Sequence, residues 1–130
     1  MRPVYINRIA SIHAESSNEK PYFSAQEPDY KEMITNANLR RRMSRMIKMG
    51  VACGLECLKD IPSEKVDAII TATGLGCLAD TEKFMNALMD NREQMLNPTA
   101  FIQSTFNTIG AQIALLLKIH AYNVTYVHRG

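Results

Sequence analysis

A layered α/β fold is the class this sequence predicts, and three observations predict it. Apolar residues recur at spacings of three and four from Leu39 to Leu58, the mark of an amphipathic helix. A short β-branched run, Val66 to Thr73, follows that helix. After two more segments of helical pattern, a second β-rich run spans Asn123 to His128. With a strand-like N-terminus, the whole order reads strand, helix, strand, helix, helix, strand, and such alternation argues for α/β layers.

The first element covers Val4 to Ile12. It is β-rich at its start, Val4-Tyr5-Ile6, and Asn7-Arg8 divides it into two short strands. A polar stretch from Ala14 to Asp29, with Pro21 and Pro28, predicts a surface loop, and the loop region extends over about 14–35. Asn38 opens the long helix, with Leu39, Met43, Met46, Ile47, Gly50, Gly54 and Leu58 on one face, running to about Asp60. Glycine costs a helix about 1 kcal/mol, so Gly50 and Gly54 predict close approach of another backbone. Pro62 ends the segment.

Val66 to Thr73 predicts a buried strand, as in a parallel or mixed sheet, bounded by Gly74-Leu75-Gly76. Asp80 is the expected cap of the next helix, with Glu82 in its first turn and Phe84, Leu88 and Met95 facing inward. Asn97-Pro98 is a helix start, with proline at the first helical position. Asn107 or Thr108 opens the last helix, with Ile109, Ile113, Leu116 and Leu117 inward. Lys118 and His120 near its end suit the helix dipole.

Composition narrows the function. A chain of 130 residues is one domain, 1–130, and 46% hydrophobic with 22% charged residues is ordinary for a folded soluble protein. A net charge of +2, with no tryptophan and only five tyrosines and four phenylalanines, gives no electrostatic footprint or stacking platform for nucleic acid. Met1-Arg2-Pro3-Val4-Tyr5 does not open a signal peptide, and the longest apolar run, Ile113 to Leu117, is too short to span a membrane. Three cysteines, an odd number, fit a reducing compartment, so a cytoplasmic protein is expected. The sequence stops at Gly130 directly after an apolar strand. Domains usually end in polar linkers, so two explanations stand open: a cut from a longer protein, or a sheet completed by a partner.

Candidate chemistry is sparse. Cys53 and Cys57 stand at i and i+4 of a helix, with Cys77 later, but no CxxC pair exists. Core packing is the preferred reading, and no metal site or cofactor is predicted. Gly74-Leu75-Gly76 follows a strand and precedes a helix, and Ala79 stands where a dinucleotide fingerprint has its third glycine. No ribose-binding acid follows on a second strand, so a structural tight turn is preferred. Arg40, Arg41, Arg42, Arg45 and Lys48 form a basic run at a helix start, against the dipole. A solvated face is one reading, and a dock for an acidic partner is the functional one. His128 has no Ser or Cys nucleophile preceding it nearby, so no triad is assembled.

The stretch Asn97 to Ala114 (Asn-Pro-Thr-Ala-Phe-Ile-Gln-Ser-Thr-Phe-Asn-Thr-Ile-Gly-Ala-Gln-Ile-Ala) resembles a hallmark segment of β-ketoacyl synthases. In that family a proline-led segment runs to an asparagine, then small residues, then an apolar helix. Asn107, Gly110, Ala111 and Ile113 match it. Ile69 to Gly76 resembles the family's strand ending in Gly-x-Gly, and Met43 to Leu58 its preceding long helix.

The resemblance implies the N-terminal half of a thiolase-like fold, α/β with layered helices and a mixed sheet, incomplete without a second half or partner. It implies a homodimer, or a heterodimer with a ketoacyl synthase. The family's dimer and acyl-pocket segment corresponds to Phe101, Gln103, Phe106 and Asn107, and its terminal strand to Val124–His128, alongside its twin. An acyl carrier protein is the acidic partner that Arg40, Arg41, Arg42 and Arg45 would meet.

One departure matters. Counted without gaps from Asn107, the family's nucleophilic cysteine falls on Gly130, and no cysteine follows Cys77. The assisting histidines and lysine lie further on in the family. The pattern is similar to chain-length-factor subunits of polyketide systems, and the stretch from Tyr122 to His128 to synthase-like proteins of aryl-polyene clusters. The expected function is therefore a non-catalytic, chain-length-factor-like subunit of fatty-acid or polyketide biosynthesis. The alternatives are a fragment of an active 3-oxoacyl-ACP synthase and an unrelated small α/β interaction module. An exposed apolar face of several hundred Å² argues against the last.

Overall fold

Side-chain caps mark the starts of three of the six α-helices among the described residues. In the computed structural model, the described residues are 3–14 and 24–128. Asp29 accepts a hydrogen bond from the Lys31 amide at 2.8 Å and opens α1, Tyr30–Met33. Asn36 accepts from the amides of Asn38 and Leu39, each at 3.1 Å, and opens α2, Ala37–Arg42. These side chains satisfy amides that the first turn leaves without partners. Ile34, inside the expected 14–35 loop, is 1% exposed and belongs to the core. The loop therefore ends earlier than expected, and its residues 15–23 lie outside the described ones.

The long helix expected from Asn38 to Asp60 is two helices. Met43 and Ser44 adopt extended backbone, and α3 then runs over Arg45–Cys57. The break has a packing reason. It places Met43, 4% exposed, among Ile34, Ile47 and Val51. Burying such a side chain is worth roughly 1.5–3 kcal/mol, which offsets the interrupted helix hydrogen bonds. A short 3-10 turn, Ser63–Lys65, leads into β1, Ala68–Thr73.

β1 pairs in parallel with β2, Tyr122–Val127, from Ala68↔Tyr122 to Thr73↔Val127. Among the described residues the sheet has these two strands and is wholly parallel, not mixed. The expectation of a buried strand holds for one face only. Ile69 is 8% exposed, while Ile70 beside it is 65% exposed. The register puts Ile69, Thr71 and Thr73 on the face shared with Asn123 and Thr125, where α6, Thr108–Leu117, packs. Asn123 Nδ2 donates to the Gly110 carbonyl at 3.0 Å, and the Thr71 and Thr125 hydroxyls meet at 2.6 Å. The opposite face carries Ile70, Val124, Tyr122 and Tyr126, the two tyrosines being exposed.

The N-terminal strand expected over Val4 to Ile12 does not form among the described residues. Val4, Tyr5, Ile6 and Ile9 are exposed. A strand needs a neighbouring ladder for its amides and carbonyls, and this segment pairs with neither β1 nor β2. The segment lies instead by the end of α3. Arg8 donates to the Lys59 carbonyl and pairs with Asp60 at 3.8 Å. Further on, Ala14 bridges Ala25 in antiparallel fashion.

α4, Leu78–Asp90, is capped at Cys77 rather than at Asp80. Asp80 instead sits buried in the first turn. Phe84 packs on Phe101, ring centroids 5.5 Å apart at 57°. Met95, expected to face inward, lies past the helix in a left-handed turn and is 97% exposed. α5, Pro98–Ser104, starts as expected, with Asn97 accepting from the Thr99 amide at 2.9 Å. α6 also starts as expected, and it ends where Lys118 takes a left-handed conformation.

The core joins α3, α6 and β1 through Ile34, Met43, Ile47, Val51, Ile69, Cys77, Ile113 and Ile119. The glycine face of α3 does mark a close approach, though to side chains rather than backbone. A Cβ at Gly50 would lie 2.9 Å from Ile109, and one at Gly54 2.5 Å from Ile113.

Candidate functional site: the corner between α5 and α6

Two helices meeting at 106° form this corner, and threonines hold it. The buried Thr108 hydroxyl donates to the Ile102 carbonyl at 2.7 Å and contacts the Thr105 hydroxyl at 2.9 Å. From α4, the Thr81 hydroxyl reaches the Ser104 carbonyl at 3.2 Å and the Cys77 carbonyl at 3.3 Å. A helix ending leaves carbonyls without partners, and these hydroxyls supply some of them at the end of α5. Helical spacing on its own does not reveal these threonines. The signal available in sequence is Ser104-Thr105 and Thr108, small hydroxyl residues clustered between two helical runs.

The corner lies against the turn that ends β1. Gly76 has φ +61°, and its amide donates to the Thr73 hydroxyl at 2.9 Å. A Cβ on Gly76 would lie 2.5 Å from the Phe106 ring. The glycine therefore seats an aromatic ring, and the preferred tight-turn reading of Gly74-Leu75-Gly76 agrees with this geometry.

The four residues of the expected dimer and acyl-pocket segment point in different directions. Gln103 is buried, while Phe101 touches Phe84 and is still 56% exposed. Phe106 lies on the Gly76 turn. Asn107 is exposed and makes no side-chain hydrogen bond to cap α6. With Ile102 and Leu78, also exposed, Phe101 leaves an apolar surface on the α4–α5 pair.

The basic run is divided by its neighbours. Arg40 donates to the Ile34 carbonyl at the end of α1. Arg41 donates to Asn38 Oδ1 at 2.7 Å, and Arg45 to Glu27 Oε1 at 2.5 Å. Among the described residues, none pairs with the exposed Arg42. Glu27 also accepts from the Tyr30 hydroxyl at 2.6 Å. The Tyr30 hydrogen bond and then the Arg45 guanidinium hold the Glu27 carboxyl below its usual range. Burial, and then Glu27, push the Tyr30 hydroxyl well above its usual value.

None of the three cysteines lies on β2. Cys53 and Cys57 are half-buried on α3, and Cys77 is buried at the start of α4. Burial, then the neighbouring Cys57, raises the Cys53 thiol, against an opposing hydrogen bond with the Ile12 backbone. Burial, then Asp80, raises Cys77. Both thiols therefore favour the protonated, less nucleophilic form. Among the described residues no group of three or more His, Cys, Asp or Glu is placed to hold a metal. A cavity of about 380 Å³ borders Cys53, Glu27, Ile12 and Met33, and no residue of α5 or α6 lines it. His128 lies just past β2, its amide donating to the Thr73 carbonyl at 3.1 Å. Gly130, the expected nucleophile position, lies outside the described residues.

Comparison with known proteins gives the family. The model for the β-ketoacyl synthase N-terminal domain matches residues 13–125. Among solved structures, the ketosynthase ApeO in complex with its chain length factor ApeC from Xenorhabdus doucetiae matches with a TM-score of 0.63 and 22% identity. That match covers 82% of this chain and 41% of the other, so this chain spans well under half of the matched one. No curated protein matches. The family shown here sets aside the reading as an unrelated interaction module. The helices and parallel sheet are those of a ketosynthase-like α/β domain, and the chain belongs to the β-ketoacyl synthase N-terminal domain family.

Proposed function

We propose that this chain is a non-catalytic, chain-length-factor-like subunit that pairs with an active ketosynthase. The observation that carries the proposal is that Gly130 falls on the family's nucleophile position, counted without gaps from Asn107. The sequence leading to that position reads Val127-His128-Arg129-Gly130, and the nearest cysteine before it is Cys77, some fifty positions earlier. Condensation needs a thiolate that holds the acyl chain as a thioester while an extender unit decarboxylates. Glycine has no side chain to do so, and Cys77 is buried with a raised pKa.

A subunit without a nucleophile still contributes surface. Phe101, Gln103, Phe106 and Asn107 are the residues proposed to face the partner and the acyl chain. The exposed rings of Phe101 and Phe106 support that reading. The matched structure is itself a ketosynthase bound to a chain length factor, which supports a ketosynthase as the partner. An acyl carrier protein is the acidic partner proposed for the arginine run, with Arg42 as its most available charge. A cytoplasmic setting and an aryl-polyene type of product complete the proposal.

The test is size-exclusion chromatography with light scattering on this chain, alone and with an active acyl-ACP ketosynthase, followed by analysis of product length. A stable complex and a changed product length are the expected results. A chain that ignores the synthase and leaves its products unchanged overturns the proposal, as does an acyl thioester accumulating on this chain.

A further inference from the structure

We draw no further inference here: the strongest candidate, the apolar outer face of the β1–β2 sheet formed by Ile70, Tyr122, Val124 and Tyr126, carries nothing because nothing in the structure shows what covers it.

Discussion

Arg45 stands in the first turn of α3, where the helix dipole disfavours a cation, and the Glu27 carboxylate meets its Nε at 2.5 Å from eighteen residues upstream. Tyr30 donates to the other carboxylate oxygen at 2.6 Å, so Glu27 links α1 to the start of α3. An arginine that looks misplaced in sequence is thus compensated by an acid outside its own helix.

That link has a pH signature. The Glu27 carboxyl is held below its usual range. It therefore contributes stability that is present above the unfolded-state value, about 4, and is lost as pH falls through the folded-state value. Melting temperatures measured from neutral pH downward should show that loss, and Glu27→Gln should reduce its size. The variant should also be less stable at neutral pH, where the wild-type carboxylate is charged. An unchanged acid limb in Glu27→Gln would assign the pH dependence to other carboxylates.

Gly54 faces Ile113 with no room for a methyl group, since a Cβ there would lie 2.5 Å from Cδ1 and 3.0 Å from Cγ1. In an exposed helix Gly→Ala gains about 1 kcal/mol, but overpacking a core costs about 1–3 kcal/mol. Ile113 is 6% exposed and has little space to yield. Gly54→Ala should therefore destabilise by about 1 kcal/mol net, read from urea unfolding. Ile113→Val removes the clashing Cδ1 at a cost of about 1 kcal/mol by itself. The double variant should be more stable than the sum of the single effects predicts. Strict additivity would refute the contact.

Gly76 combines two constraints that substitution can separate. Its φ of +61° costs a side-chain-bearing residue roughly 1–2 kcal/mol. The Phe106 ring adds a steric cost on top. Gly76→Ala should lose about 2 kcal/mol or more in a wild-type background. In a Phe106→Ala background the penalty should shrink toward the backbone cost without vanishing. Equal penalties in both backgrounds would show that the ring does not press on the turn.

The arginine run should divide in the same way. Arg40→Ala removes the donor to the Ile34 carbonyl and should destabilise by about 1–2 kcal/mol. Arg42→Glu should leave the melting temperature nearly unchanged, since surface changes of this kind usually fall within about 0.5 kcal/mol. If the run meets an acyl carrier protein, Arg42→Glu should weaken that binding and flatten its salt dependence, as measured by titration at two ionic strengths. Binding indifferent to Arg42→Glu would remove this residue from the dock.

The sequence by itself determined the elements whose signals are local. Asn97-Pro98 places the start of α5, the spacing of Ile109, Ile113 and Leu116 places α6, and the β-branched runs place β1 and β2, all within a few residues of the observed ends. The paired glycines of α3 announced a close neighbour, and the segment from Asn97 to Ala114 carried the family. Caps, helical spacing and β-branching act over one or two turns of chain, so a short stretch of sequence suffices to read them. Tertiary structure decided what depends on the opposite wall. The break at Met43–Ser44 follows from the pocket that receives Met43, and the split of the arginines follows from Ile34 and Glu27 on other segments. The exposure of Ile70 beside buried Ile69 follows from α6 covering one face of the sheet. Burial and pairing are properties of two surfaces brought together, and only the folded arrangement specifies the second surface.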